Sequence, residues 1–154
     1  MNVRLRPLIA EDASWLDAWL APVAAGVRFP LDGPPGSTLL GSLGRTRVGY
    51  AIGRDGERVG IAVARRGAPS RTAATIELIA TPPEHARAGS GMTGARLLED
   101  ELRAHGARTI FAPAPEVHGI AVYFWIRLGY RPLQRPEWPC AVPGVAWMRR
   151  DLPR

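Results

Sequence analysis

Ile76-Glu-Leu-Ile-Ala-Thr-Pro-Pro-Glu-His-Ala-Arg-Ala-Gly-Ser-Gly-Met-Thr-Gly-Ala-Arg-Leu-Leu-Glu-Asp-Glu-Leu102 holds three patterns in succession. An apolar run ends at Ala80. Pro82 and Pro83 follow, then a glycine loop, Arg87-Ala-Gly-Ser-Gly91. A helical pattern begins at Met92 and runs to His105, and Gly106 suits the position just past a helix end. Strand, glycine loop and helix in that order can make an anion site. The first helical N–H groups lack internal partners, the helix dipole places partial positive charge there, and glycine permits close approach. The order fits a phosphate-bearing ligand; the plainer reading is a simple strand-to-helix turn. No Gly-Lys-Ser/Thr follows, so the loop is not a Walker A motif. A third glycine at dinucleotide-binding spacing is also missing.

Outward from this stretch, the chain parses as one mixed α/β domain over residues 1–154. Val3 to Leu8 alternates as a strand. Glu11 to Ala21 reads as a helix with Trp15, Leu16, Trp19 and Leu20 on one face, a core-packing pattern. Ala24 to Gly44 is rich in Gly and Pro and reads mostly as loop, with a short helix near Leu39–Leu43. Val48–Ile52 and Val59–Ala64 flank Gly53-Arg54-Asp55-Gly56 as a hairpin. Strands are expected at Thr72–Ala80, Thr109–Ala112 and Val145–Arg150, with a helix over Gly119–Leu128. Ligands of α/β sheets sit beyond the strand C-termini, where neighbours part. The loop after Ala80 lies in such a place.

Composition sets the bounds. The 154 residues suit one core, and 46% hydrophobic with 22% charged is ordinary for a soluble domain. No apolar run approaches the roughly 20 residues that span a membrane. The N-terminus lacks an apolar export core, so no export is expected and a cytoplasmic location fits. Cys140 is the sole cysteine, which rules out an internal disulfide. Three scattered histidines argue against a metal site. Net charge is +6, carried by arginine with no lysine. Arginine suits phosphate recognition. Yet uniform arginine beside abundant Ala, Gly and Pro reads first as GC-rich, bacterial-like coding composition. The arginines are scattered without interleaved aromatics, which argues against a nucleic-acid partner.

Pro83-Glu-His-Ala-Arg-Ala-Gly-Ser-Gly91 resembles the acyl-CoA pyrophosphate loop of the GNAT N-acetyltransferase superfamily, Gln/Arg-x-x-Gly-x-Gly/Ala. Gly89 and Gly91 match; Ala86 stands at the leading position, with Arg87 beside it. A register ending at Gly94 would place Met92 at the first glycine. His118-Gly-Ile-Ala-Val-Tyr-Phe-Trp-Ile-Arg-Leu-Gly-Tyr130 is similar to that family's Asn-x-x-Ala-x-x-Phe/Leu-Tyr-x-x-Leu-Gly-Phe through Ala121, Phe124, Leu128 and Gly129. Ala146 to Leu152 is similar to its last strand.

The resemblance implies a central, mixed, mostly antiparallel twisted sheet of six to seven strands, splayed at the acyl-CoA site and flanked by helices. It implies an acyltransferase: acetyl-CoA as co-substrate, no metal, and direct transfer to a primary amine of a small molecule or protein. Homodimers occur in the family. Cofactor contacts would fall on Ile79, Ala80, Thr81, Ala86, Arg87, Ala88, Gly89, Ser90, Gly91, Met92, His118 and Trp125. Arg87 would add an ionic contact or remain a solvated loop charge. Glu77 would be the base; otherwise it forms an ion pair with an arginine such as Arg71. Strand alternation places Glu77, Ile79 and Thr81 on one face, and Ile76, Leu78 and Ala80 on the other. Trp125 occupies the position of the family's general-acid tyrosine, and an indole cannot serve like a phenol. It is either a core aromatic or part of the CoA channel. Tyr123 lies about 200° away around the helix. His118 is a candidate catalytic proton donor, a cofactor contact, or a helix cap. His85 and His105 read as surface residues, and Trp138 and the Pro-rich loop as part of an acceptor pocket or a dimer contact. The alternative is a catalytically degenerate acyl-CoA-binding sensor or interaction module; a nucleic-acid-associated protein on the same fold is a third.

Overall fold

The computed structural model describes residues 2–117 and 119–153. Its strands are β1 Val3–Pro7, β2 Arg47–Arg54, β3 Glu57–Arg66, β4 Ala73–Ala80, β5 Thr109–Pro115, β6 Arg131–Pro132 and β7 Val145–Asp151. Its helices are α1 Ala13–Gly26, α2 Pro35–Ser42, α3 Ser90–Ala104 and α4 Gly119–Arg127. The strands form one sheet ordered β1-β2-β3-β4-β5-β7-β6. Only β4 and β5 pair in parallel among the described residues. The mixed, mostly antiparallel sheet flanked by helices is the expected architecture.

The first four strands follow from local rules. β2 and β3 close through Asp55-Gly56, both at positive φ (53° and 86°), the type I′ geometry whose twist suits a hairpin. α1 follows a short 3₁₀ turn, Ala10–Asp12. Asp12 anchors that turn: its carboxylate accepts from the Ile9 amide at 2.9 Å, Arg6 at 2.9 Å and Arg58 at 3.0 Å. α1 passes through Pro22 to Gly26, beyond the Ala21 boundary expected from sequence. Between Ala24 and Gly44 the expected loop holds a full helix, α2, with Pro35 at its first position.

Two apolar layers hold the helices to opposite faces of the sheet. One packs Ile52, Val59, Ala62, Ala64 and Ile76 against Leu98 and Leu102 of α3 and Trp125 of α4. Gly94 lets α3 close on β2, because a Cβ there would lie 2.5 Å from Ile52 Cδ1. The other packs Ile61, Val63, Leu78 and Ala80 against Leu16, Trp19 and Leu20 of α1 and Leu39 of α2. Beyond β5, Phe111, Val145 and Trp147 form a third cluster with Leu133, and Trp138 packs against it. At about 25 cal/mol per Å² of apolar area, such layers dominate stability.

One buried polar network crosses the first layer. Tyr130 donates to Glu99 Oε2 and Arg150 to Glu99 Oε1, each at 2.6 Å. Burial first, and the Glu99 charge second, hold the Tyr130 hydroxyl far above its ordinary pKa. The network ties α3 to β7 and to the turn after α4.

Candidate functional site

The site begins where β4 and β5 part. Their ladder covers only Ala73–Thr75 opposite Thr109–Phe111. The register with β3 shifts here too: Val63 faces Leu78 while Ala64 faces Ile76, which leaves Glu77 as a bulged residue. The bulge overturns the simple alternation expected from sequence. Ile76 packs in the α3–α4 layer, whereas Leu78 and Ala80 pack in the α1–α2 layer.

β5 contributes a second cause. The Thr109 amide donates to the Thr72 carbonyl at 3.4 Å, whereas the Glu116 amide donates to Gly144 at 2.8 Å. Odd-numbered β5 positions therefore point their amides at β4. Two of them, Pro113 and Pro115, have no N–H. Past Phe111, β5 has no amide donors with which to continue the ladder. On β3, the Arg66 amide donates to Thr46 of the β2 side. Odd-numbered β3 residues therefore bond β4, so Val63 and Ile61 engage Leu78 and Ala80. That leaves the Ile79 N–H and C=O aimed into the opening.

Two adjoining cavities fill the V. The first, about 200 Å³, is lined by Val27, Glu77 and Ile79, by Pro113 and Pro115, and by Ala121, Phe124 and Trp125. The second, about 560 Å³, runs past Thr81, His85, the loop Ala86–Gly89, Gly91 and Met92 to Tyr123 and Arg127. Ile79, Ile120 and Phe124 line both.

The loop runs into α3 without a side-chain cap. Gly89 is the N-cap of α3, at φ +83°. Arg87 adopts φ +65° just before it. The first α3 amides thus have no intrahelical partner and border the groove. Gly94 sits inside α3 against Ile52, so the loop register ends at Gly91.

Glu77 lines the first cavity. Its Oε1 accepts from Arg47 Nε at 2.8 Å, and Arg65 Nε lies 3.5 Å from Oε2. The ion-pair partners are Arg47 and Arg65 rather than Arg71. The Arg47 guanidinium also lies 4.9 Å over the Phe29 ring.

Most expected cofactor residues border the cavities; two do not. Ala80 is paired to β3 and packed toward α1. Ser90 is buried, and its hydroxyl accepts from Arg54 at 3.3 Å. Trp125 is a core aromatic, 5% exposed and packed on Phe124 and Tyr130, and it also forms one wall of the first cavity. Tyr123 lines only the loop-side groove, apart from Glu77. His118 lies outside the described residues. His85 is no surface residue: it lines the groove, with Nε2 3.3 Å from Glu57. Trp138 packs in the third cluster and borders neither cavity. Sequence reasoning passed over Val27, Pro113, Pro115, Ile120 and Arg127 as site residues. The prolines alone carried a legible signal, as ladder breakers in a strand.

No family model matches the sequence, and no curated protein matches it. Solved structures do. An acetyltransferase from Thermus thermophilus superposes with TM-score 0.74 at 20% identity, over 99% of this chain and 98% of that one. The GNAT domain of S. lividans PAT gives 0.76 at 19%, over 97% and 90%. This is the GNAT acetyltransferase fold. A PaiA N-acetyltransferase from Thermoplasma acidophilum, in complex with coenzyme A, shares the GNAT fold at TM-score 0.74 and 14% identity, over 99% and 100%. No helix among the described residues is long and apolar enough to cross a membrane.

Proposed function

We propose that the protein transfers an acetyl group from acetyl-CoA to a primary amine of a small molecule or protein. The observation that carries this reading is the continuous V. A backbone edge at Ile79 leads from an uncapped helix start to a carboxylate, Glu77. The amides from Arg87 to Met92 suit a pyrophosphate, with Arg87 and Arg127 adding charge. Ile79 offers one N–H and one C=O along the course of a pantetheine arm. Its N–H also suits the oxygen of a thioester under attack. Ile120, Phe124 and Met92 give that arm apolar walls.

Acetyl-CoA supplies an activated thioester carbonyl. The amine nitrogen bonds to that carbon, the C–S bond breaks, and the sulfur leaves with the electron pair. Glu77, or a water it holds, takes the ammonium proton before attack. Arg47 and Arg65 fix the carboxylate in place. After the C–N bond forms, the nitrogen sheds a second proton and the leaving sulfur takes up one to become a thiol, and Trp125 has no group to relay it. That observation favours one second reading, an acyl-CoA-binding module without turnover.

Calorimetric titration with acetyl-CoA and CoA, followed by thiol-release assays over an amine panel, tests the proposal. One-to-one micromolar binding with turnover supports it. Binding without turnover supports the second reading. Folded protein that binds neither would overturn both.

A further inference from the structure

Three helices of this protein end in the same way. At the end of α3, Gly106 sits at φ +99°, its amide bonded to Arg103 and the Ala107 amide to Leu102. At the end of α4, Gly129 sits at φ +97°, its amide bonded to Ile126 and the Tyr130 amide to Trp125. Both are Schellman caps with the glycine that a left-handed position favours. α1 closes through the same bonds: Arg28 amide to Ala25 at 3.1 Å, Phe29 amide to Ala24 at 2.8 Å. There the left-handed residue, at φ +57°, is Arg28. Fold alone would prefer glycine, so the side chain has a reason to be there.

Arg28 has no hydrogen-bond or ion-pair partner for its guanidinium among the described residues. It reaches across the opening instead. A Cβ at Gly144 would lie 3.0 Å from both Cζ and Nε of Arg28. Gly144 precedes Val145, the partner of Pro115, and Pro115 lines the first cavity opposite Val27. The guanidinium therefore stands exposed beside Gly144, next in the chain to Val27 and near the Pro115 end of β5, two residues that line the Glu77 cavity. Glu116 reaches the same edge through its amide bond to Gly144, yet no ion pair joins it to Arg28 among the described residues. Arg47 and Arg65 on this face already hold Glu77.

We infer that the acceptor is an amine bearing a carboxylate, bound by Arg28 at the mouth while the amine reaches Glu77. The planar fork of arginine takes a carboxylate bidentately. A polycationic acceptor would meet uncompensated positive charge here. This inference rests on the acetyl-transfer reading above for the direction in which the amine enters.

The test is calorimetric titration of the protein, CoA-saturated and ligand-free, with ω-amino carboxylates of increasing length. Each is compared with its ω-amino amide. The expected result is about tenfold tighter binding of the carboxylate for at least one length. R28G should close that gap and keep or raise Tm, by about 2–4 °C. R28K, which keeps the charge without the fork, should leave part of the gap. E116Q should leave it intact. Equal binding of carboxylate and amide, a gap that survives in R28G, or no binding by any member of the series would each overturn the inference. Failure of the acetyl-transfer reading shows separately, as absent CoA binding or absent thiol release.

Discussion

The two sides of the V are built from different materials. The loop side is backbone: the amides that open α3, the Ile79 peptide, and a glycine at φ +83° that keeps the approach clear. The other side, which the proposal gives to the acceptor, is side chains: Glu77 held by Arg47 and Arg65, with Arg28 beside Gly144. A backbone site comes from one contiguous segment and suits a group common to many ligands. A side-chain site is gathered from α1's end, β2, β3 and β4, and carries whatever distinguishes one substrate from another. Under the proposed function, the common part of the chemistry is written in backbone geometry and the particular part in charge.

The sharpest way to break this contrast is Gly89→Glu. A side chain at φ +83°, carrying negative charge beside the first α3 amides, should weaken CoA binding by roughly 100-fold or more in a calorimetric titration. Unchanged affinity would remove the loop from the site. Next in size is Glu77→Gln, which should lower kcat by about 100-fold with CoA affinity unchanged. A fall in Tm that accounts for the lost rate would make Glu77 a structural partner of Arg47 instead.

Two further changes should spare the chemistry and report on what holds each side. Glu99→Gln breaks the network that moors α3, leaving Arg150 without its anionic partner. Urea unfolding should show a loss of about 2 kcal/mol. Asp12 moors α1. Burial opposes its ionisation, but hydrogen bonds from Arg6, the Ile9 amide and Arg58 prevail and hold its pKa at about 2. A pKa lowered on folding adds stability that is full above the unfolded value. That share, on the order of 2 kcal/mol, should fade as pH falls through about 4 towards 2. Asp12→Asn should flatten the acid limb of a Tm-against-pH curve.

The backbone of the loop is far more legible in the sequence than the side-chain pairing around Glu77, for the same physical reason. Gly89, Gly91, the helix after them and Gly106 are local signals, each enforced by backbone sterics within a few residues. The pairing of Glu77 depends on which arginines the sheet brings opposite it. Arg71 lies nearer in the chain, but Arg47 and Arg65 share its face. The bulge at Glu77 was illegible because a strand's alternation reads as unbroken until a partner strand sets the count. α2 is faint in the sequence because Gly and Pro dominate its segment, while Leu39 secures it by long-range packing. Ser90 and Ala80 lie within the expected segment but turn into the protein, a distinction that needs the register.

Pro113 and Pro115 bear on how the fold could have gone otherwise. With an N–H at position 113, the Ile76 carbonyl would have a donor and the parallel ladder could lengthen by a rung. Such a chain would be a more complete sheet with a smaller opening. The imino acids remove the β5 donors that would draw the strands together. A ligand entering the V finds the sheet already divided, and β5 has no amide at positions 113 and 115 to compete with it for the carbonyls of β4.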